Sequence, residues 1–356
     1  MNVVYLIVQQ TMFFSIPLLI VALGGMFTER GGVTNIALDG TMIMGAFTSI
    51  LFINNMQDSM SGTGLLLIAC VIAALTGGVF SLLLAYSAIN MKADQIIGGT
   101  ALNMFAPAFC VFAARTVQDL GVQQIQFNNT FRVMKVPVLG DIPVIGKMFF
   151  QNTYITTLIG IIILIIAVVV IYKTRFGLRL RACGEHPQAA DSVGINVYKM
   201  RYAGVFISGV LGGLGGLVFI IPTSTNFDSN VAGYGFLALA VMIFGQWKPI
   251  RIAIAAAFFG FMKTIAAAYN LIPFLDNLPV TSEFYKAIPF VATLIVLALS
   301  SKKSSADNET LYIYNVVGVR VMSIKIDGQD KRYSLSLPKG CYIIKVGKVV
   351  RKISIR

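Results

Sequence analysis

The sequence predicts an all-α polytopic membrane protein of about nine transmembrane helices, followed by a small C-terminal all-β module. Three observations carry that expectation. The 356 residues are 56% hydrophobic and only 12% charged, with a mean hydropathy of +0.79, whereas soluble domains carry about 25% charged residues. Such a chain cannot cover a water-facing surface with polar groups, so one large membrane domain is expected. Apolar runs of bilayer length recur as far as Ser300, and beyond the polar stretch SSKKSSADNET the hydrophobic period shortens to two.

A hydrocarbon core of about 30 Å takes about 20 residues of helix to cross. Nine stretches qualify: 5–26, 34–54, 64–90, 95–114, 154–172, 202–222, 232–246, 252–270 and 286–300. The seventh and ninth are short, which suits tilted, re-entrant or broken helices. Met1–Gln10 lacks the basic start of a cleavable signal peptide, so the first run is expected to stay as a membrane helix. The domain plan is a transmembrane domain at 1–303, a linker at 304–310 and a β module at 311–356. In the module, LYIYNV, VRVMSIKI, YSLSL, CYIIKV and VVRKISI alternate apolar and polar residues, with Asp327-Gly328 and Pro338-Lys339-Gly340 among the turn signals between them. About five strands are expected.

Charge sets the orientation. The net charge is +13, and residues 306–356 contribute ten basic and four acidic side chains to it. The polar island Tyr172–Tyr202 carries Lys173, Arg175, Arg179, Arg181, Lys199 and Arg201 against Glu185 and Asp191. Basic loops stay in the cytosol, so the island is expected there, together with 29–30, 91–94, 247–251 and 300–305. The loops 115–153, 223–231 and 271–285 then fall outside, as does the N-terminus. This excess of Lys and Arg is what cytosolic loops carry, and it calls for no nucleic-acid partner.

Most enzymatic chemistry lacks its residues. His186 is the single histidine, and Cys70, Cys110, Cys183 and Cys341 are too far apart for a metal or redox pair. There is no phosphate-binding loop of the Walker A type. The chain is therefore expected to be no enzyme and to bind no cofactor directly. Gly24-Gly25, Gly77-Gly78, Gly98-Gly99 and the run GVLGGLGG at 209–216 read as close helix packing in preference to hinges. Polar residues at membrane depth are costly and tend to face a cavity or a neighbouring helix. They are Thr34, Asn35 and Asp39; Gln95, Thr100 and Asn103; and Asn226 and Asp228. Asn35 and Asp39 are four apart, hence on one helix face. Asn35 and Asn103 suit a solute pathway and helix bracing equally. Asp39 is expected near a membrane interface. An ion-coupled secondary transporter, the alternative reading, would want carboxylates deep in the spans, and these are scarce.

Four ordered motifs carry a resemblance. ERGGVTNIALDGTMIMGAF (29–47), ADQIIGGTALNMF (93–105), FGLRLRACGEHPQAADSVGINVYKMRY (176–202) and GYGFLALAVMIFGQWKPI (233–250) resemble stretches of ABC importer permeases of the branched-chain amino acid/ribose superfamily. They are closest to those of its basic-membrane-protein-type nucleoside permeases. Asp39 stands where that family usually has Glu, and Gln188 replaces the Glu of the E-A-A-x-x-x-G signature that AADSVGI resembles. The tail LYIYNVVGVRV…LSLPKGCYIIKVG…VVRKISIR resembles the C-terminal sorting domain of type IX-secreted proteins. A predicted cytosolic location makes it an inherited or fused remnant.

The permease resemblance implies a bacterial inner-membrane subunit that passes a small polar solute, a nucleoside above all, by alternating access. It implies ATP and Mg on a separate cytosolic ABC ATPase, a second homologous permease chain, and a substrate-binding lipoprotein or periplasmic protein. Gly184, Glu185, Ala189, Ala190, Asp191 and Gly194 would form the ATPase-docking loop. Asn35, Asp39, Thr100 and Asn103 would lie on the substrate pathway.

Overall fold

The computed structural model describes residues 2–118, 121–128, 131–135, 151–268 and 291, and four strands within 309–355. The chain divides into two compact units, Met1–Val291 and Ala292–Arg356. The first is helical: α1 (Asn2–Arg30), α2 (Leu38–Met56), α3 (Thr63–Ala85, running on into a π-helical turn Tyr86–Asn90) and α4 (Gln95–Val117) come first. Short strands β1 (Ile125–Gln126), β2 (Arg132–Lys135) and β3 (Gln151–Tyr154) follow. Then come α5 (Ile155–Lys173), α6 (Arg175–Glu185), α7 (Pro187–Ser192), α8 (Val197–Thr223), β4 (Asn226–Phe227), α9 (Tyr234–Phe244) and α10 (Pro249–Ala268).

Eight of the nine expected stretches are helical. Six helices, α1, α3, α4, α5, α8 and α10, are long and apolar enough to cross a membrane. α2 is not among those six, with Asp39 near its start and Asn54-Asn55 near its end. α9 has only 11 residues. The stretch 286–300 lies outside the described residues except at Val291, so nine spans are not established.

The expected span at 34–54 differs most from the structure. Gly31 and Gly32 close α1, with Gly32 at φ +80°, a left-handed conformation that glycine adopts without steric cost. The chain then runs non-helically to Ala37 before α2 begins. In place of helical bonds, side chains of α4 hold this segment. Gln95 Oε1 accepts from the Thr34 amide at 2.7 Å, and Asn103 Nδ2 donates to the Ile36 carbonyl at 2.8 Å.

α8 is the hub. It packs on α1, α2 and α3, and its described core face runs almost unbroken from Leu211 to Ile221. The glycine run makes this possible. A Cβ on Gly213 would strike the Ala73 carbonyl, and one on Gly216 the Met42 carbonyl. One on Gly209 would strike Ser81 Oγ and the Gly77 carbonyl. Two neighbours, α2 and α3, therefore touch α8 backbone to backbone, the arrangement that small residues permit in lipid.

The connections gather at two ends. At one, Arg30 Nη2 donates to the Trp247 carbonyl at 3.0 Å, Arg201 Nε to the Gly31 carbonyl at 3.3 Å, and Tyr202 Oη to Asn90 Oδ1. At the other, β1 pairs antiparallel with β4 (Ile125↔Phe227) and β2 with β3 (Val133↔Thr153). There Asn54 Nδ2 also donates to the Gln126 carbonyl at 2.7 Å. The described loops expected on the cytosolic side thus share one end, and those expected outside share the other.

The second unit is an antiparallel sheet of β5 (Glu309–Asn315), β6 (Arg320–Ile326), β7 (Gly340–Val346) and β8 (Val349–Ile355), in the order β6-β5-β7-β8. Ile313 and Tyr342 are buried in it. The expected YSLSL strand lies outside the described residues.

Candidate functional site

The island folds into short helices at the end that carries Arg30 and Trp247. Thr174 caps α6, its Oγ1 accepting from the Gly177 amide at 3.1 Å. Pro187 opens α7 at a first-turn position, where its missing N–H costs nothing. Gly194, at φ +82°, closes α7, and Asn196 Oδ1 caps α8 by accepting from the Lys199 amide at 2.9 Å.

The six expected docking residues divide by direction. Glu185, Ala189, Asp191 and Gly194 are exposed. Gly184 and Ala190 face the protein's own interior: a Cβ on Gly184 would strike the Arg30 carbonyl, and Ala190 is only 3% exposed. These two fasten the island to α1 and α8 and leave the exposed face to others. Sequence reasoning missed three residues of that face, Val193 at 73% exposed, Leu178 and Tyr198. Their signal was a large apolar side chain inside a polar loop. Cys183 is buried beneath the island, and burial pushes its thiol above the usual range while the nearby Arg201 charge opposes the shift.

The four expected pathway residues do not converge. Asn103 is committed at both ends of its amide: Oδ1 accepts from the Gly40 amide at 2.7 Å and Nδ2 donates to Ile36. It therefore braces the start of α2. Thr100 is exposed on α4 and its hydroxyl donates to the Ile96 carbonyl of its own helix. Asn35 is 1% exposed, and its Nδ2 donates to Ser208 Oγ at 3.0 Å. Its Oδ1 is buried without a partner among the described residues.

Asp39 is half-buried. Its Oδ1 accepts from the Gly235 amide, at 2.9 Å, in the first turn of α9. α9 runs eleven residues from there to Gly245, beside the Arg30 end, a length of about 16 Å at about 1.5 Å per residue. The carboxyl group therefore lies well inside the bundle, where the N-terminal dipole of α9 favours it. Lys263, on α10, was also missed. Its Nζ lies 5.6 Å from the centre of the Tyr234 ring, and the Tyr234 hydroxyl is buried without a partner among the described residues. The signal was a lysine inside an apolar span. Among the described residues no cluster of three His, Cys, Asp or Glu side chains is placed to hold a metal ion.

The starts of α2 and α9 thus meet beside the closely packed α8, and the basic helical island lies at the end where α9 closes. The model of the branched-chain amino acid transport system / permease component family matches residues 7–297. The chain belongs to that family. This permease is 44% identical to the nucleoside ABC transporter permease protein NupC of Lactococcus lactis, over 86% of its own length and 95% of that protein's. It is 41% identical to the guanosine ABC transporter permease protein NupQ of Bacillus subtilis, over 83% and 92% of the two chains. It is 26% identical to a second Lactococcus lactis protein, the nucleoside ABC transporter permease protein NupB, over 82% and 80%. No solved structure matches. The permease is a multi-pass plasma-membrane protein and a non-catalytic component of an ABC transporter, and it is this family membership that sets the ion-coupled carrier aside. The family match stops short of the C-terminal sheet, which begins at Glu309.

Proposed function

We propose that this permease passes nucleosides, purine nucleosides among them, across the plasma membrane as the membrane subunit of an ABC importer. The observation that carries the reading is a match along nearly the whole membrane unit to relatives whose names specify nucleoside and guanosine transport. The island end faces the cytosol in this reading. A separate ATPase holds ATP and Mg there and docks on Glu185, Ala189, Asp191, Val193 and Gly194. Gly184 and Ala190 transmit its movement to α1 and α8. A binding protein presents the solute at the opposite end. Lactococcus lactis has two permeases that match this chain, NupC and NupB, which supports pairing with a second, homologous permease chain.

The test is uptake of labelled guanosine by proteoliposomes that hold the permease with its ATPase, its permease partner and its binding protein. Uptake is expected to require ATP on the island side and to stop when the permease is left out. Uptake driven by an ion gradient without ATP would overturn the reading.

A further inference from the structure

The end opposite the island carries two adjoining cavities. The larger, about 600 Å³, lies between the ends of α2 and α4 and the chain leading into β1. Its polar lining is Asn54, Asn55, Gln118, Gln124 and Gln126, with Val117 and Val122 among its apolar walls. The smaller, about 300 Å³, shares Gln124 and presents Asn226, Asn230 and a carboxylate, Asp228. The β1–β4 pairing joins the two walls. No Lys, Arg or His lines either cavity among the described residues. Gln118 Nε2 is buried and has no hydrogen-bond partner among the described residues. Such a donor marks a place where something else completes the bond.

We infer that these cavities receive an uncharged nucleoside and exclude its phosphorylated form. The inference rests on the nucleoside reading above and adds to it a site and a basis for selection. A carboxamide offers a donor and an acceptor in one plane, the pairing that Asn and Gln make with the edge of a purine. Several carboxamides around one space suit a base and a ribose together, and the apolar walls suit the faces of the base. The larger volume falls in the range of about 300–1,000 Å³ usual for small-molecule sites. A phosphate would find no cation in the described lining, the nearby Arg115 being bonded to Gln123 Oε1, and it would meet the Asp228 carboxylate. Lysines or arginines would be required in the lining for a nucleotide.

The test is cysteine protection on the full chain in liposomes. A cysteine is placed in the larger cavity by Val122→Cys, and a second variant, Ser61→Cys, carries one on the same end outside the lining. Cys341→Ser is the background, and Cys70, Cys110 and Cys183 are buried. N-ethylmaleimide reaches either face of the membrane. Saturating guanosine is expected to slow labelling at Val122→Cys about tenfold, and to leave Ser61→Cys unchanged; guanosine monophosphate changes neither. Adding Gln118→Leu is expected to raise the guanosine concentration for half-protection roughly fivefold to tenfold, the value of one hydrogen bond to an uncharged partner. No protection by guanosine, equal protection by the monophosphate, or equal protection at Ser61→Cys would each overturn the inference. Guanosine uptake by the assembled complex separates the two claims. Uptake without protection sinks the site alone, and protection without uptake of any nucleoside sinks the transport reading alone.

Discussion

Gly213→Ala places a single methyl group in the α3–α8 contact, and its cost follows from the geometry. The added Cβ would strike the Ala73 carbonyl oxygen and stand 2.9 Å from Gly77 Cα and 3.1 Å from Gly77 N. All three atoms are backbone, so no side chain can rotate away and the helices must separate. Opening the contact by about 1 Å forfeits a quarter to a half of each atom pair's 0.1–0.2 kcal/mol. Gly209 belongs to the same seam, against Gly77, and Gly45 of α2 also packs on Gly213, so several tens of atom pairs are affected. The expected loss is about 2 kcal/mol, inside the range of about 1–3 kcal/mol for overpacked cores. In a chain of this size that lowers the melting temperature by several degrees, about 2–4 °C for each kcal/mol. The assay is thermal unfolding of the purified permease in detergent, followed by size-exclusion fluorescence. Gly64→Ala is the paired control, since a Cβ there meets nothing within 4 Å, and in a helix alanine is favoured over glycine by about 1 kcal/mol. The control should hold or raise the melting temperature. Equal effects at the two sites would refute the claim that close backbone contact is why glycine stands at 213.

Three further outcomes are expected. Asn103→Leu strips hydrogen bonds from the Gly40 amide and the Ile36 carbonyl; at about 1–3 kcal/mol for each buried group left unpaired, it should lower thermal stability more than Thr100→Val, whose hydroxyl bonds only its own helix. Val193→Arg should leave the melting temperature unchanged and abolish co-purification of the ATPase, whereas Ala190→Arg should damage folding itself, since Ala190 is buried. Cys183 should resist alkylation in the folded protein: its pKa is raised by burial, so the reactive thiolate stays scarce until the pH climbs past the range where an unfolded cysteine ionises, about 8.5, and rapid labelling at pH 8 without denaturant would contradict the packing of α6.

The helices were legible because hydropathy over about 20 residues is a strong local signal, and eight of the nine stretches bear it out. The island itself was legible as a basic polar stretch between two apolar runs. What sequence could not supply was direction. Ala189 and Ala190 are adjacent and chemically identical, yet one is exposed and the other buried, because α7 is short and its orientation is set by contacts with α6 and α8. The β1–β4 pairing escaped notice for a related reason. Its strands have two residues each and lie about 100 positions apart in sequence, and two residues carry no periodicity.

The polar residues at depth teach the sharper lesson. Backbone groups in the hydrocarbon region must be satisfied within the protein, because no water is there to do it. Breaking the first helical hairpin at Gly31-Gly32 and starting α9 inside the bundle both leave such groups unpaired. Gln95 answers the Thr34 amide, Asn103 the Ile36 carbonyl and the Gly40 amide, and Asp39 the Gly235 amide. The motifs in which these residues stand thus describe how two interrupted helices are kept intact. A Cβ on Gly235 would strike the Asp39 backbone, so the α2 and α9 starts are in direct contact. α9 ends at the turn that Arg30 holds through the Trp247 carbonyl, next to the point where Gly184 and Arg201 fasten the island. The chain of contacts from island to α1, to the Trp247 turn, to α9, to Asp39 and α2 is continuous. Of the four expected pathway residues, Asn35 keeps a buried, unpartnered Oδ1 and Asp39 a second carboxylate oxygen beyond the one that holds the Gly235 amide, so these two retain hydrogen-bonding capacity.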